Sequence, residues 1–266
     1  MPLVSICCLT YNHENYIRTA IESFLMQETS FPIEIVIHDD GSTDRTAEIV
    51  ASYQSERPDV FVSIRQPVNL YSQGVRGLTV KFLLPRARGA YVALCEGDDY
   101  WTDPRKLQKQ VEFLEANPRF SGSFHETQQL LFDGTPGRVF GQKAPSVMSA
   151  ADTFSTLSPF HTSSLVFRRM PDAFPAWLGD VVSGDMALFS ILTASGPLQK
   201  LPGIMSVYRK HPQGITSMAS VMEGFHQKRI ELMTRLNEFH GYQFDAQAQQ
   251  VIRSHEREIA KALARR

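Results

Sequence analysis

Three carboxylates crowd into Glu96-Gly97-Asp98-Asp99, directly after the apolar run Tyr91-Val92-Ala93-Leu94-Cys95, with no lysine or arginine beside them. A second acidic pair, Asp39-Asp40, follows the apolar stretch 33–37 and opens onto Gly41-Ser42-Thr43-Asp44. Carboxylates held close together and out of water repel one another by several kcal/mol, so something must compensate them. Oxygen donors suit Mg²⁺ or Mn²⁺. Carboxylates also accept hydrogen bonds from ribose hydroxyls and from a ring N–H of a base. The simpler use is to cap helices and tighten turns, and Asp-Gly is a common turn pair. Two acidic groups at equivalent strand ends favour the ligand reading, because open parallel sheets bind ligands beyond the carboxyl ends of their strands.

The elements that must carry these groups follow from periodicity. Residues 3–9 are short and apolar apart from Ser5, as in a strand buried on both faces. Tyr16, Ile17, Ala20, Ile21, Phe24 and Leu25 recur at helical spacing and predict a helix over about 14–27. Residues 33–37 form a second strand. Ser42, Thr43 and Asp44 are placed to cap the next helix, with Ala47, Val50 and Ala51 on its inner face. Residues 60–64 form a third strand, 66–77 a loop, about 78–87 a short helix and 91–95 a fourth strand. Asp103 and Pro104 then read as the N-cap and first residue of a helix whose inner face is Leu107, Val111 and Leu114, stopped at Asn117-Pro118. Strand and helix alternate throughout, which predicts a parallel sheet with helices on both faces, and neighbouring strands are expected to bring the two acidic groups together. The second half is less regular. Strand signals fall at 120–132, 163–168 and 203–208. Residues 133–150, rich in Gly, Pro and Ser, read as a long loop. A helix is expected from Asp185 to about 194, and the chain from about 220 onward is expected to be largely helical.

The 266 residues suffice for one large domain or a domain plus an appendage. A formal net charge of -1 gives no support to nucleic-acid binding. The three cysteines, Cys7, Cys8 and Cys95, sit in apolar runs without metal-type spacing and read as small buried hydrophobes in a reducing compartment. The N-terminus has no basic region of a signal peptide, and no apolar run reaches the roughly 18 residues of a membrane span. The reading is a cytoplasmic protein.

Three stretches, Leu3-Val-Ser-Ile-Cys-Cys-Leu-Thr-Tyr-Asn12, Ile35-Val-Ile-His-Asp-Asp-Gly-Ser-Thr-Asp-Arg-Thr46 and Tyr91 to Trp101, resemble in order and spacing those of family 2 glycosyltransferases. The resemblance covers roughly residues 1–215 and is most specific over the first 120. It implies an α/β, GT-A (Rossmann-like) fold with a mixed, mainly parallel central sheet flanked by helices; the C-terminal helical segment lies outside the match. The implied organisation is a glycosyltransferase domain over 1–219, with a nucleotide-sugar-binding half (1–120) and an acceptor half (121–219), followed by a helical extension over 220–266. The implied reaction is transfer of a sugar, with inversion, from a nucleotide-diphosphate sugar, UDP favoured, to an acceptor hydroxyl. Bacterial surface polysaccharide or glycoconjugate assembly is the expected setting, with a saccharide or lipid-linked saccharide as acceptor.

Carried over residue by residue, the loop Thr10-Tyr11-Asn12 lies against the base. Asp39 contacts the base, with Asp40 beside it. Glu96-Gly97-Asp98 stands where the family has its Asp-X-Asp metal motif. Glu96 replaces the commoner Asp and is one methylene longer, so it ranks below Asp98 and Asp99 as a contact to Mg²⁺ or Mn²⁺ and ribose. His211, in the segment 208–216 that folds back over the donor, is a third candidate for the metal or a phosphate. Asp185, after Gly184, matches the catalytic base, and helix N-cap is its other reading. Arg76 is placed to meet the nucleotide or phosphates, with a solvated loop arginine as the alternative, and Lys81 is a weaker case. His161 and Thr162 fall at the acceptor cleft. Trp101 stacks on a sugar or packs in the core, and packing is favoured. The charged tail, including Glu256, Arg257, Lys261, Arg265 and Arg266, reads as a packed or partner-contacting helix. Peripheral contact with the inner membrane's cytoplasmic face is the alternative. Two other functions remain: a sugar nucleotidyltransferase, which needs a glycine- and basic-rich loop that Thr10 to Asn15 does not provide, and a non-catalytic nucleotide-sugar-binding protein, which has no need of Asp98, Asp99 and Asp185 together.

Overall fold

The computed structural model describes residues 1–170, 174–212, 214 and 224–264. Four parallel strands form one side of the sheet: β1 (Val4–Thr10), β2 (Ile33–Asp39), β3 (Phe61–Arg65) and β4 (Tyr91–Leu94). The other side holds β5 (Tyr100–Trp101), β6 (Gly122–Leu130), β7 (Pro136–Phe140), β8 (Val147–Met148), β9 (Val166–Arg168) and β10 (Leu198–Arg209). The order among the described residues is β3-β2-β1-β4-β9-β6-β10-β5, with β7 on β6 and β8 on β10. β9 runs antiparallel to both β4 and β6, so the sheet is mixed.

The helices are α1 (Ile17–Leu25), α2 (Thr46–Glu56), α3 (Lys106–Ala116), the single turn α4 (Ala150–Thr153), α5 (Gly184–Ala194), α6 (Phe225–Phe239) and α7 (Asp245–Leu263). Strand side chains alternate between faces, and two cores result. Val4, Ile6, Cys8, Ile35 and Ile37 pack against α1, α2 and α3. Cys7, Val36, Val92 and Leu94 share the opposite core with α5, α6 and α7, through Leu188, Ile191, Leu232, Leu236 and Val251. All three cysteines are buried and free.

Several sequence expectations are corrected. β1 lies between β2 and β4, so the two acidic groups are not on neighbouring strands. Ala51 is exposed, while Thr46 and Val50 are the buried residues of α2. The segment 78–87 is a π turn (Thr79–Leu83) followed by a 3-10 turn (Leu84–Arg86), where Pro85 cannot donate to a regular helix. α3 starts at Lys106 rather than Pro104, because Asp103 Oδ1 accepts from Arg105 N and holds those residues in a turn. Residues 163–164 belong to a 3-10 turn, and only 166–168 are strand. The expected loop at 133–150 contains β7, β8 and the start of α4, with Gly134 (φ 79°) turning the β6–β7 hairpin. The expected boundary at 219/220, Thr216, Arg265 and Arg266 lie outside the described residues.

Candidate active site

The base side is built by two interlocked turns. Asn12 has a left-handed backbone (φ 53°), and its N–H donates to Ser42 Oγ while its Oδ1 accepts from Thr43 N. His13 N donates to Thr46 Oγ1, and Glu14 N to Asp44 Oδ2. The turn after β2 thus positions the loop after β1, and Tyr11 remains exposed at its tip. Asp40 is consumed structurally: its two oxygens accept from Leu70 N and Tyr71 N, both at 3.0 Å. Asp39 Oδ1 accepts from Ser42 N and Oγ. Its Oδ2 is sealed from solvent without a hydrogen-bond partner, 3.9 Å from Arg65 Nε. A cleft of about 330 Å³ lies beside it, lined by Gly41, Ser42, Arg65, Gln66 and Pro67. Asp39 Oδ2 lies behind Ser42 and Arg65 of that lining, and a buried acceptor without a partner suits a ring N–H.

The acids after β4 separate by role. Gly97 passes so close to Thr10 that a Cβ there would lie 2.7 Å from Thr10 Oγ1, so a side chain between Glu96 and Asp98 would force the Thr10 side chain to move. Asp98 Oδ2 stands 2.9 Å from His211 Nε2 and 3.7 Å from His13 Nε2. These three atoms form a cluster in which every separation is within 4.8 Å. Neighbouring ligand atoms around an octahedral ion with bonds of about 2.1 Å stand roughly 3 Å apart, so the donor set fits a divalent cation. His13 Nδ1 lies 3.2 Å from Thr10 Oγ1, and a bond donated there leaves the Nε2 lone pair facing the cluster. Burial alone would raise the Asp98 pKa, but the His211 hydrogen bond and the charge of His13 outweigh it and hold the carboxyl below its ordinary range. His13 is held below the usual histidine value by burial, opposed by Asp98.

Asp99 points elsewhere. Its Oδ1 accepts from Arg209 N at 3.0 Å and its Oδ2 lies 3.7 Å from His161 Nδ1. Burial first, then the charges of Asp98 and Glu96, drive its pKa up. Arg209 stands over the rings of Tyr16 and Tyr100 and donates to the Asp98 carbonyl, clamping the acidic turn. Glu96 Oε2 is buried without a partner. Its carboxyl is pushed up to about 8 by burial, then by Asp98 and Asp185. Glu96 and Asp185 therefore feel each other, although they come from β4 and α5.

Asp185 is the second residue of α5, after Gly184 and the N-cap Ser183, which holds a left-handed backbone (φ 54°). That conformation is costly for a non-glycine residue and concentrates at functional sites. Asp185 does not act as N-cap, since Ser183 takes that place without a side-chain bond. Burial raises its pKa, opposed by hydrogen bonds from Met186 N and Ser158 and by the charge of Arg229.

The remaining candidates are dispersed. Arg76 donates to the carbonyls of Tyr71 and Val75 and stands 4.0 Å over the Tyr71 ring, tied into its own loop. Lys81 pairs with Asp180 at 2.8 Å. Trp101 is buried and donates to the Ser163 carbonyl, with Phe24 and Lys106 against its ring, so it packs. His161 stacks on Tyr208 (4.5 Å) and is pushed down to about 4 by burial. Thr162 starts the 3-10 turn beside it. Sequence reasoning missed His13 and Arg229. His13 had a signal, its place in the Thr10–Asn12 turn. Arg229 had another, a charged residue at helical spacing with Leu232, Met233 and Leu236.

The family model for glycosyl transferase family 2 matches residues 5–190. An uncharacterized protein of Mycobacterium tuberculosis is 39% identical over 214 residues, 80% of this chain and 60% of that one. The chain thus spans about three-fifths of the length of such relatives. The Escherichia coli protein WfaP, named as a UDP-Glc:α-D-GlcNAc-diphosphoundecaprenol β-1,3-glucosyltransferase, is 35% identical over 120 residues, 45% of this chain and 44% of that one. Among solved structures, Staphylococcus aureus TarS 1–349 in complex with UDP-GlcNAc matches with a TM-score of 0.70 and 20% identity, over 94% of this chain and 70% of that one. That likeness confirms the GT-A arrangement of the mixed sheet and its flanking helices.

Proposed function

The chain belongs to glycosyl transferase family 2, and from that membership we propose that it transfers a sugar from a nucleoside-diphosphate sugar to an acceptor hydroxyl with inversion. The observation that carries this reading is the His13–Asp98–His211 cluster, beside Glu96, beyond the carboxyl ends of β1 and β4. UDP is the favoured nucleotide, in keeping with the UDP-sugars in the names of TarS and WfaP. The acceptor class follows WfaP: a saccharide, free or lipid-linked, of bacterial surface glycoconjugate assembly.

In this mechanism Asp39 Oδ2 accepts from the ring N–H of the base, and the Thr10–Asn12 loop lies along the nucleoside. A divalent cation held by Asp98, His211 and His13 would neutralise charge on the departing diphosphate. Two imidazoles and one carboxylate suit Mn²⁺ better than Mg²⁺, which prefers oxygen donors. Asp185 takes the acceptor hydroxyl proton as that oxygen bonds to the anomeric carbon. The bond from that carbon to the diphosphate oxygen breaks, and its electrons leave with the diphosphate. A burial-raised pKa makes Asp185 a stronger base than an exposed carboxylate.

The test is a thermal-shift panel of UDP-, GDP-, dTDP- and CMP-sugars with and without Mn²⁺, followed by turnover of Asp185→Asn. One nucleotide class is expected to stabilise the protein in a metal-dependent way. Asp185→Asn is expected to keep that shift and lose about 10²–10⁴-fold in kcat. A flat panel on folded protein overturns the donor site, and full activity of the variant overturns the base.

A further inference from the structure

We propose that Arg229 is a positioning residue for the transfer, reaching from α6, beyond the stretch matched by the family model, to supply the countercharge of Asp185. The proposal rests on the reading of Asp185 as the base.

Arg229 is among the largest fully buried side chains, at 1% exposure. A buried guanidinium is stable only with partners that offset its lost hydration. Its hydrogen bonds are to neutral groups: Nη1 to Met186 Sδ at 3.1 Å and Nη2 to the Ser155 carbonyl at 2.9 Å. Nε has no partner among the described residues. The Met186 contact places the guanidinium beside the first turn of α5, one residue from Asp185. No carboxylate lies within ion-pair distance of Arg229 among the described residues, so the attraction to Asp185 acts across a gap. It is nonetheless reciprocal: Asp185 raises Arg229 against its burial, and Arg229 lowers Asp185 against its own.

The other groups facing this pair sharpen the assignment. Glu96, from the end of β4, faces Asp185, but its own carboxyl is pushed up to about 8 by burial and so adds little negative charge at pH 7. His255 on α7 faces Arg229, with its Nδ1 2.9 Å from His226 Nδ1. Burial pushes His255 down to about 4, so it is neutral at pH 7 and adds no second cation. Among the described residues, Arg229 is the cation whose charge lowers Asp185.

The experiment compares Arg229→Met, Arg229→Lys and Asp185→Asn by the pH profile of kcat/KM, with donor-induced thermal shift as a binding control. In Arg229→Met the acid limb is expected to move up by about one pH unit, the low end of the effect of one opposite charge. On the acid side of the limb its kcat/KM is expected to fall roughly tenfold, the equivalent of that unit, with the donor shift retained. Arg229→Lys keeps the charge and is expected to keep the limb in place. An unmoved limb in Arg229→Met makes Arg229 merely structural and overturns the proposal. Should Arg229→Met not fold, a displaced limb in Arg229→Lys overturns it and an unmoved one supports the charge assignment. Asp185→Asn isolates the premise: if it keeps the wild-type limb and turnover, the base reading fails by itself.

Discussion

The proposed donor side and the proposed acceptor side solve the same problem differently. On the donor side, negative charge sits at the ends of β2 and β4, and the neighbouring backbone takes up most of it. Asp40 is tied by Leu70 and Tyr71, Asp39 by Ser42 and Asp99 by Arg209. Among the described residues, the buried carboxylate oxygens left without a partner are one of Asp39 and one of Glu96. On the acceptor side, Asp185 stands on a strained turn, with Ser158 on one flank and Arg229 from a helix over forty positions later on another. The donor site is a local property of short turns. The acceptor site is an agreement between distant elements, so variants on the donor side should act on binding and those on the acceptor side on proton transfer.

Asp98→Asn is expected to break this contrast most severely. Asp98 carries the cluster with both histidines, so its loss should abolish Mn²⁺ binding in calorimetry. Activity should fall on the order of a thousandfold, equivalent to the several kcal/mol a bound cation contributes. Substantial Mn²⁺ affinity in that variant would detach the cluster from metal binding. Gly97→Ala comes next. Its methyl meets Thr10 Oγ1 at 2.7 Å, and a forced shift of this kind costs about 1–3 kcal/mol. Urea denaturation should show that loss, and the donor-induced thermal shift should weaken with it. An unchanged midpoint and donor shift would mean the turn is looser than the contact implies.

The smallest effect concerns a charge used by neither half. Lys106 is fully buried, with its Nζ on Gln110 Oε1 and 4.2 Å over the Trp101 ring, and burial lowers its pKa to about 7 against weak opposition from Cys95 and Asp103. An unfolded lysine titrates near 10.4. Between those values the unfolded chain binds the extra proton, so stability rises with pH, by at most about 1.4 kcal/mol per unit. Below pH 7 both states are protonated and the slope vanishes. Wild type should therefore gain about 1–2 kcal/mol between pH 7 and 9 relative to Lys106→Met in urea melts. Parallel profiles would show that Lys106 stays charged in the fold.

How much could be read in advance varied with distance along the chain. The strands 3–9, 33–37, 60–64 and 91–95 were legible because each is a short apolar run ending in turn residues. The acids at their ends followed, and so did Asp185 at its helix start. The β6–β7 hairpin was legible in principle: Asp133-Gly134 between Phe132 and Thr135 is a hairpin signal, masked by the Pro and Gly around it. Which acid goes where was not legible. Asp98 and Asp99 are adjacent and chemically alike, yet one faces His13 and His211 while the other faces Arg209 and His161. Adjacent side chains leave the backbone in different directions, and only their surroundings give each its partners.

The sequence by itself determined the parallel β1–β4 framework, the two acidic turns and the family, because those rest on local periodicity and on motifs a few residues long. Tertiary structure alone decided that β1 separates the acidic groups, that His13 and His211 meet at Asp98, and that Arg229 meets Met186 beside Asp185. Each is a contact across many residues, set by strand order and by which helix covers which face. A linear pattern carries the preference of each segment but not the order in which the sheet lays them side by side.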